Sequence, residues 1–178
     1  MLTDILIKER LERQLQALNE VAKTLTQPLE LPELLNAVMD RIVGVLEQVQ
    51  AGTIMLWDQS AGLFRPAAMF GFDPSVMRGM GLRMGESITG KVYDEGKARL
   101  VRTPEEVAQV MADMREANLR IFERAAGTET LPMSIVAAPL TVSDQKYGVL
   151  VLENLHGDVH LDEFDLPFVQ SIADLVAM

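Results

Sequence analysis

The apolar residues of the first 27 positions recur at heptad spacing. No Gly or Pro interrupts residues 3–26, and the chain has a clear polar face on the other side. The repeating apolar positions alternate steps of four and three: Leu11, Leu15, Leu18, Ala22 and Leu25. The pattern predicts an amphipathic helix whose heptad repeat is about two heptads long. So short a repeat leaves two interpretations open, a helix packed on its own domain and a dimer-forming coiled coil entering from an upstream domain.

A second helix is predicted from about Pro32 to Gln50. Pro28 and Pro32 separate it from the first helix, and Pro32 suits the first turn of a helix. Its apolar positions form a broad stripe: Leu35, Val38, Met39, Ile42, Val45, Leu46 and Val49. Such a stripe is typical of a helix lying on a sheet.

After residue 51 the pattern changes to that of strands. Apolar runs at 52–57 and 63–70 surround turn residues and predict an antiparallel hairpin, and runs at 134–142 and 147–154 predict a second. Residues 98–102 predict a short additional strand. These five runs favour one antiparallel sheet.

Helices are predicted between the hairpins and at the end of the chain. Ser87 is a plausible N-cap for a short helix that stops at Gly96, one longer helix runs from Thr103 to about Ala126, and Asp162 caps a final helix. The predicted fold is α/β (α+β), with five to six central strands, terminal helices on one face, and loops and short helices over the other. Residues 1–27 are assigned to a linker or dimerisation helix and 28–178 to the domain, whose last helix shows no stop signal and is expected to continue into a downstream domain.

Composition and charge exclude several classes of function. The chain has no cysteine, which removes disulfides, thiolate metal sites, cysteine nucleophiles and cofactors attached through a thioether. The net charge of −10 opposes binding to nucleic acid. No apolar run approaches the roughly 18 residues of a membrane helix. We therefore expect no nucleic-acid binding, no membrane insertion and a cytoplasmic location.

Few side chains indicate catalysis or metal binding. His156 and His160 flank Asp158, but loop spacing provides no defined ligand geometry, so a solvated turn is favoured over a metal site. The carboxylates at 162, 163 and 165 are explained by the positive end of a helix dipole. We assign no catalytic residue, no metal ligand and no cofactor.

Several motifs, taken in order, resemble the GAF domain, a small sensory module of signalling proteins. The motifs are residues 51–58, Phe70-Gly71, residues 85–92 with Gly96, Ala138-Pro139-Leu140, residues 147–154, and Leu161-Asp162 with Asp165. The resemblance covers about residues 28–178. It implies a small-molecule pocket between the sheet and the segment that joins the two hairpins, residues 71–133, which we call the central excursion.

Departures from the family patterns reduce the number of ligand classes that this chain is expected to bind. Members that bind cyclic nucleotides carry a five-residue motif of which this chain keeps only Asn154 and Asp165. Bilin-binding members and free-methionine-sulfoxide reductases of this fold both use cysteine, which the chain lacks. Met133 also stands where the family often has an arginine, which removes one anion contact.

Methionines in the strands and the excursion favour an adaptable apolar pocket. The predicted ligand-facing residues are Met69, Phe72, Met80, Ile88, Val92, Met111, Met114 and Ser134. Arg83, Arg115 and Arg120 are candidates for holding an acidic group, although a solvated helix face is favoured for each.

The functional prediction is a non-catalytic sensory module that binds an unknown small molecule, forms a homodimer through its terminal helices, or does both. It would regulate an attached output domain: a histidine kinase, a cyclic-dinucleotide enzyme or a transcription activator. The alternative is a dimerisation scaffold without a ligand, and an enzyme is the least favoured class.

Overall fold

A single antiparallel sheet forms the centre of the protein. The computed structural model describes residues 1–178. The strands are β1 (Ala51–Asp58), β2 (Leu63–Phe70), β3 (Arg99–Val101), β4 (Ser134–Val142) and β5 (Gln145–Asn154). Their spatial order is β2-β1-β5-β4-β3, so both predicted hairpins are present and β5 joins them.

Seven helices surround the sheet. The helices are α1 (Leu2–Thr24), α2 (Leu31–Val43), α3 (Pro74–Met77), α4 (Ser87–Glu95), α5 (Pro104–Met111), α6 (Glu116–Ala126) and α7 (Asp165–Ala177). Residues of α1, α2 and α7 share one core cluster on one face of the sheet, while α3 to α6 lie between the hairpins in sequence and cover the other face. The predicted fold class is therefore confirmed.

The two faces of the sheet pack into different cores, because successive side chains of a strand point to opposite sides. On β5, Leu150 and Leu152 pack with the terminal helices, whereas Val149 and Val151 pack with the central excursion. Glu153 has the same parity as Val149 and Val151. The strand thus carries one carboxyl group toward the side on which the resemblance implies a pocket.

The prediction of one continuous helix from Thr103 to about Ala126 is wrong. The segment forms two helices, α5 ending at Met111 and α6 starting at Glu116. The interruption contains Asp113 and Arg115, which bind the start of α4 instead of continuing the helix. Long-range contacts of this kind override local helix propensity.

Three predicted helix boundaries also shift. The second helix ends at Val43, although Leu46 and Val49 beyond it are still buried. Glu86 is the N-cap of α4, and the final helix begins at Asp165 rather than just after Asp162. Asp162 nevertheless accepts a hydrogen bond from the Phe164 N–H, so it stabilises the turn that leads into the helix.

Helix α1 uses a different face for intramolecular packing than the heptad pattern suggests. Its buried positions are Gln14, Ala17, Val21 and Thr24. The predicted seam faces outward in part: Leu11 is 51% exposed and Leu15 is 61% exposed. Both sequence interpretations therefore have a surface available, one packed on the domain and one open.

An ion pair fastens α1 to the start of α7. The Arg10 guanidinium donates to both carboxylate oxygens of Asp162, at 3.0 and 2.7 Å, and also to the fully buried Asp165. The Asp162 hydrogen bond is the main reason that the pKa of Arg10 is raised, and the same bond lowers the pKa of Asp162. The two terminal helices are thus coupled by a bidentate contact.

None of these helices combines the length and the apolar character that crossing a membrane would require.

Candidate functional site

A small apolar cavity lies between the sheet and the central excursion. Its volume is about 30 Å³, enough for one or two water molecules. The sheet contributes Thr53, Met55, Val151 and Glu153, and the covering segments contribute Met77, Met80, Leu82, Ser87, Ile88, Thr89, Met111, Met114 and Phe122. We call this space the methionine cavity, because five of its 13 lining residues are methionine.

Glu153 is the one ionisable residue in that lining. Its side chain is 7% exposed, and its Oε2 atom has no hydrogen-bond partner. Burial without a partner disfavours the charged form, so the pKa of Glu153 is raised to about 8. The cavity is therefore lined by a carboxyl group whose Oε2 atom is buried without a hydrogen-bond partner.

A second buried carboxylate, Glu86, has the opposite environment. It accepts from the Arg83 and Arg115 backbone N–H groups at 2.8 and 2.9 Å, from Asn118 Nδ2 at 2.9 Å and from Arg115 Nε at 3.2 Å. Burial alone would raise the pKa of Glu86, but these hydrogen bonds outweigh it and lower the pKa. Glu86 therefore fastens the start of α4 to the start of α6.

Asp113 makes a parallel connection to α4. Its carboxylate accepts from the Ser87 N–H at 3.0 Å and from Lys91 Nζ at 2.6 Å. Ser87 has a left-handed backbone (φ +58°), and the Asp113 contact holds it there. Glu86, Arg115, Asn118, Asp113 and Lys91 form what we call the roof network, since it ties together the helices that close the methionine cavity.

A family model for the GAF domain matches residues 30–178. The chain belongs to the GAF domain family. No curated protein matches the chain, but solved structures share its fold.

Solved GAF domains resemble this one over nearly their whole length. The GAF domain of a phosphoenolpyruvate-protein phosphotransferase from Acinetobacter has a TM-score of 0.75 at 16% identity, covering 92% of this chain and 90% of that one. The corresponding Coxiella burnetii domain has a TM-score of 0.73 at 20% identity, covering 93% and 91%.

An enzyme also shares the fold. Free methionine-R-sulfoxide reductase from Neisseria meningitidis, solved in complex with its substrate, has a TM-score of 0.68 at 13% identity, covering 92% of this chain and 86% of that one. GAF domains are mostly regulatory, and these identities establish the fold alone.

Half of the predicted ligand-facing residues line the methionine cavity of this GAF domain. Met80, Ile88, Met111 and Met114 are among its walls. Met69, Phe72, Val92 and Ser134 are not.

The four residues outside the lining have other packing roles. Phe72 stacks edge-on against Phe122, with ring centroids 5.6 Å apart, and so supports the wall from behind. Val92 is buried in the adjoining core, and Met69 is half-buried on β2. Ser134 lies on the opposite face of the sheet, where its hydroxyl donates to Asn154 Oδ1 and accepts from the Leu161 N–H.

Two of the three arginines that were candidates for holding an acidic group are bound to other residues of the protein. Arg115 binds Glu86 and the Gly81 carbonyl oxygen, and Arg120 pairs with Glu116 on the same helix. Arg83 is exposed. An acidic ligand would find no uncommitted cation among the residues that line the methionine cavity.

His156 and His160 lie along a different, open cleft between α1 and the loop after β5. This cleft is larger, about 490 Å³, but polar and charged residues form most of its surface, including Arg10, Arg13 and Asp158. No group of three or more His, Asp or Glu side chains is arranged to hold a metal ion. We take the methionine cavity as the candidate site, because small-molecule pockets share a mainly apolar lining with few polar groups.

Sequence reasoning missed both buried glutamates. Glu153 does carry a signal, since it is the one charge near the end of an otherwise apolar run, residues 148–152. Glu86 carries none, because its four donors come from distant segments and from a backbone turn.

Replacing Asp113 by alanine should weaken the roof network. The change removes the acceptor for the Ser87 N–H and the counter-ion of Lys91, and we expect a loss of about 1 kcal/mol in the free energy of unfolding. Urea unfolding measures the loss, and hydrogen exchange of the Ser87 amide should accelerate. Asp94→Ala on the exposed side of α4 is the matched control; equal effects of the two changes would contradict the assigned role.

Proposed function

We propose that this GAF domain is a non-catalytic sensory module, in which a small molecule enters the methionine cavity and thereby regulates an attached output domain. The observation that carries the proposal is the cavity itself: a mainly apolar space, lined by one carboxyl group whose Oε2 atom has no hydrogen-bond partner, at the place the family resemblance implies. The output domain would be a histidine kinase, a cyclic-dinucleotide enzyme or a transcription activator.

The walls of the cavity favour binding over catalysis. Five flexible thioether side chains can repack around a guest, and methionine is well suited to this. The lining contains a single ionisable residue and no cysteine or histidine. An acid–base pair or an activated nucleophile would need at least two such groups within reach of each other.

The contacts of the roof network provide a route from the cavity to the rest of the domain. The cavity is lined directly by Ser87, Met111 and Met114. The same stretch of chain carries Asp113 and Arg115, which hold the start of α4. A guest that displaces the methionines would therefore strain these ion pairs. It changes the output only if it binds one arrangement of the roof more tightly than the other.

The ligand part of the proposal is tested by native mass spectrometry of the purified domain and by thermal shift across a metabolite panel. A co-purified small molecule, or a metabolite that raises the melting temperature, is the expected result. No bound molecule and no shift would favour the alternative function, a dimerisation scaffold without a ligand.

The dimer part of the proposal uses the exposed side of α1. Leu11 and Leu15 are both more than half exposed. With Leu2, Ile5 and Leu6 they make up all of the exposed large apolar side chains of this helix. Because α1 is also joined to α7 by Arg10, a dimer formed along α1 would be coupled to the end of the domain. We expect a symmetric pairing of two α1 helices.

Leu15→Glu should convert the dimer to a monomer. The change places a charge in the apolar seam, where pairing would bury it or bring two like charges together. Sedimentation equilibrium measures the outcome. Gln16→Glu adds the same charge to an adjacent exposed position outside the seam and should leave the dimer intact. A monomeric wild-type protein would refute the pairing, and a dimer that persists in Leu15→Glu would place the interface elsewhere.

A further inference from the structure

The two buried glutamates differ in how many hydrogen bonds their carboxyl groups receive. Glu86 is 5% exposed and receives four hydrogen bonds, whereas Glu153 is 7% exposed and its Oε2 receives none. An unsatisfied buried polar group costs stability, about 1–3 kcal/mol for a neutral group and more for a charge. Glu153 therefore carries an unused capacity to accept hydrogen bonds.

Glu153 is one of the residues that line the methionine cavity. On β5 it is paired with Ala51 of β1 and Ile135 of β4, neither of which has a polar side chain. Among the other lining residues, none is Lys, Arg or His. No cationic side chain of the cavity can thus neutralise Glu153.

A ligand complementary to this arrangement has two parts. The first is a donor that carries positive charge, because a charge-assisted hydrogen bond to a carboxylate is stronger than a neutral one. The second is a short apolar body, because the remaining walls consist mainly of methionine thioethers and aliphatic carbons. An acidic ligand would meet no counter-ion, and it would meet a like charge once Glu153 has lost its proton.

We infer that the methionine cavity binds a small apolar molecule bearing a protonated amine, with Glu153 as the group that accepts its N–H donors. This inference rests on the proposed function and specifies the chemical class of its ligand. The present volume of about 30 Å³ accommodates the ammonium group, and the apolar body requires the surrounding methionines to move.

The inference is tested with three probes that share one carbon skeleton: n-butylammonium, n-butanol and n-butyrate. Binding is followed by NMR of protein labelled with ¹³C in the methionine methyl groups. Met77, Met80, Met111 and Met114 report on the cavity. Met1, Met84 and Met178 are exposed and serve as internal controls.

The expected result is a saturable shift of the cavity methyl signals by n-butylammonium and weaker or no binding of n-butyrate. Glu153→Gln should weaken n-butylammonium binding at least about tenfold, the loss of one charge-assisted hydrogen bond, while leaving n-butanol binding unchanged. The methyl spectrum of the variant without probe shows directly whether it is folded. If the variant does not fold, the comparison of n-butylammonium with n-butanol in the wild-type protein still tests the ligand class.

Two different failures are distinguishable. If n-butanol binds as tightly as n-butylammonium, or Glu153→Gln leaves amine binding unchanged, the ligand class is wrong and the sensory function stands. If none of the three probes shifts the cavity methionines, the inference is overturned. If the metabolite panel and native mass spectrometry are negative as well, the proposed function falls with it.

Discussion

Replacing Gly148 by alanine is expected to lower the free energy of unfolding by about 3 kcal/mol or more. Gly148 is opposite Leu56 of β1 and Leu140 of β4, in the middle of the sheet. A Cβ atom added there would lie 2.0 Å from the Met55 carbonyl oxygen and 3.0 Å from the Leu56 Cα. Both are backbone atoms, so the clash can be relieved only by moving β1 away from β5.

Urea unfolding measures this loss, which corresponds to a decrease of about 6–12 °C in melting temperature for a domain of this size. Gly44→Ala is the matched control, because the nearest atoms to its added Cβ are 3.6 and 3.9 Å away and its φ of −67° suits any residue. We expect that control to be neutral or slightly stabilising. Equal midpoints for the two variants would contradict the close approach of β1 and β5.

Replacing Glu153 by glutamine is expected to stabilise the domain increasingly as the pH rises. Burial raises the pKa of Glu153 from 4.5 to about 8 in the folded protein. Between these values the folded state holds a proton that the unfolded chain has released, so unfolding releases that proton. The free energy of unfolding therefore falls with rising pH, by about 1.4 kcal/mol per unit, and the loss is complete above the folded pKa.

Glutamine does not titrate and leaves the cavity neutral at every pH. The stability difference between Glu153→Gln and the wild type should thus grow by about 4 kcal/mol between pH 5 and pH 9. Urea unfolding at pH 5, 7 and 9 measures it, and subtraction cancels the titrating groups that both proteins share. Glu105→Gln removes a carboxylate from an exposed position on α5 and is the control. A pH-independent difference for Glu153→Gln would show that this carboxyl group is not buried without a partner.

The strands and the two hairpins could be predicted because they depend on local pattern. Alternating and continuous apolar runs marked four of the five strands, and the turn residues between them marked both hairpins. The short β3 was also predicted, at 98–102. The heptad spacing predicted α1 itself, but periodicity carries no information about which face a neighbouring helix covers.

The site was predicted only in part, for a physical reason visible in Met111 and Met114. Both were expected in the pocket and both line it. Asp113 and Arg115, close beside them in the chain, break the expected helix to reach partners 26 and 29 positions away. A window of sequence does not reveal such partners.

The sequence by itself determined the strand and helix periods, the family, and the absence of any cysteine chemistry, since all three are properties of residue types and their spacing. Only the tertiary structure decided what each buried polar group meets. Glu86 and Glu153 are the same residue type with nearly the same exposure, yet one receives four donors and the other's Oε2 receives none. That difference arises because hydrogen-bond partners are brought together by folding, across distances that no local pattern records.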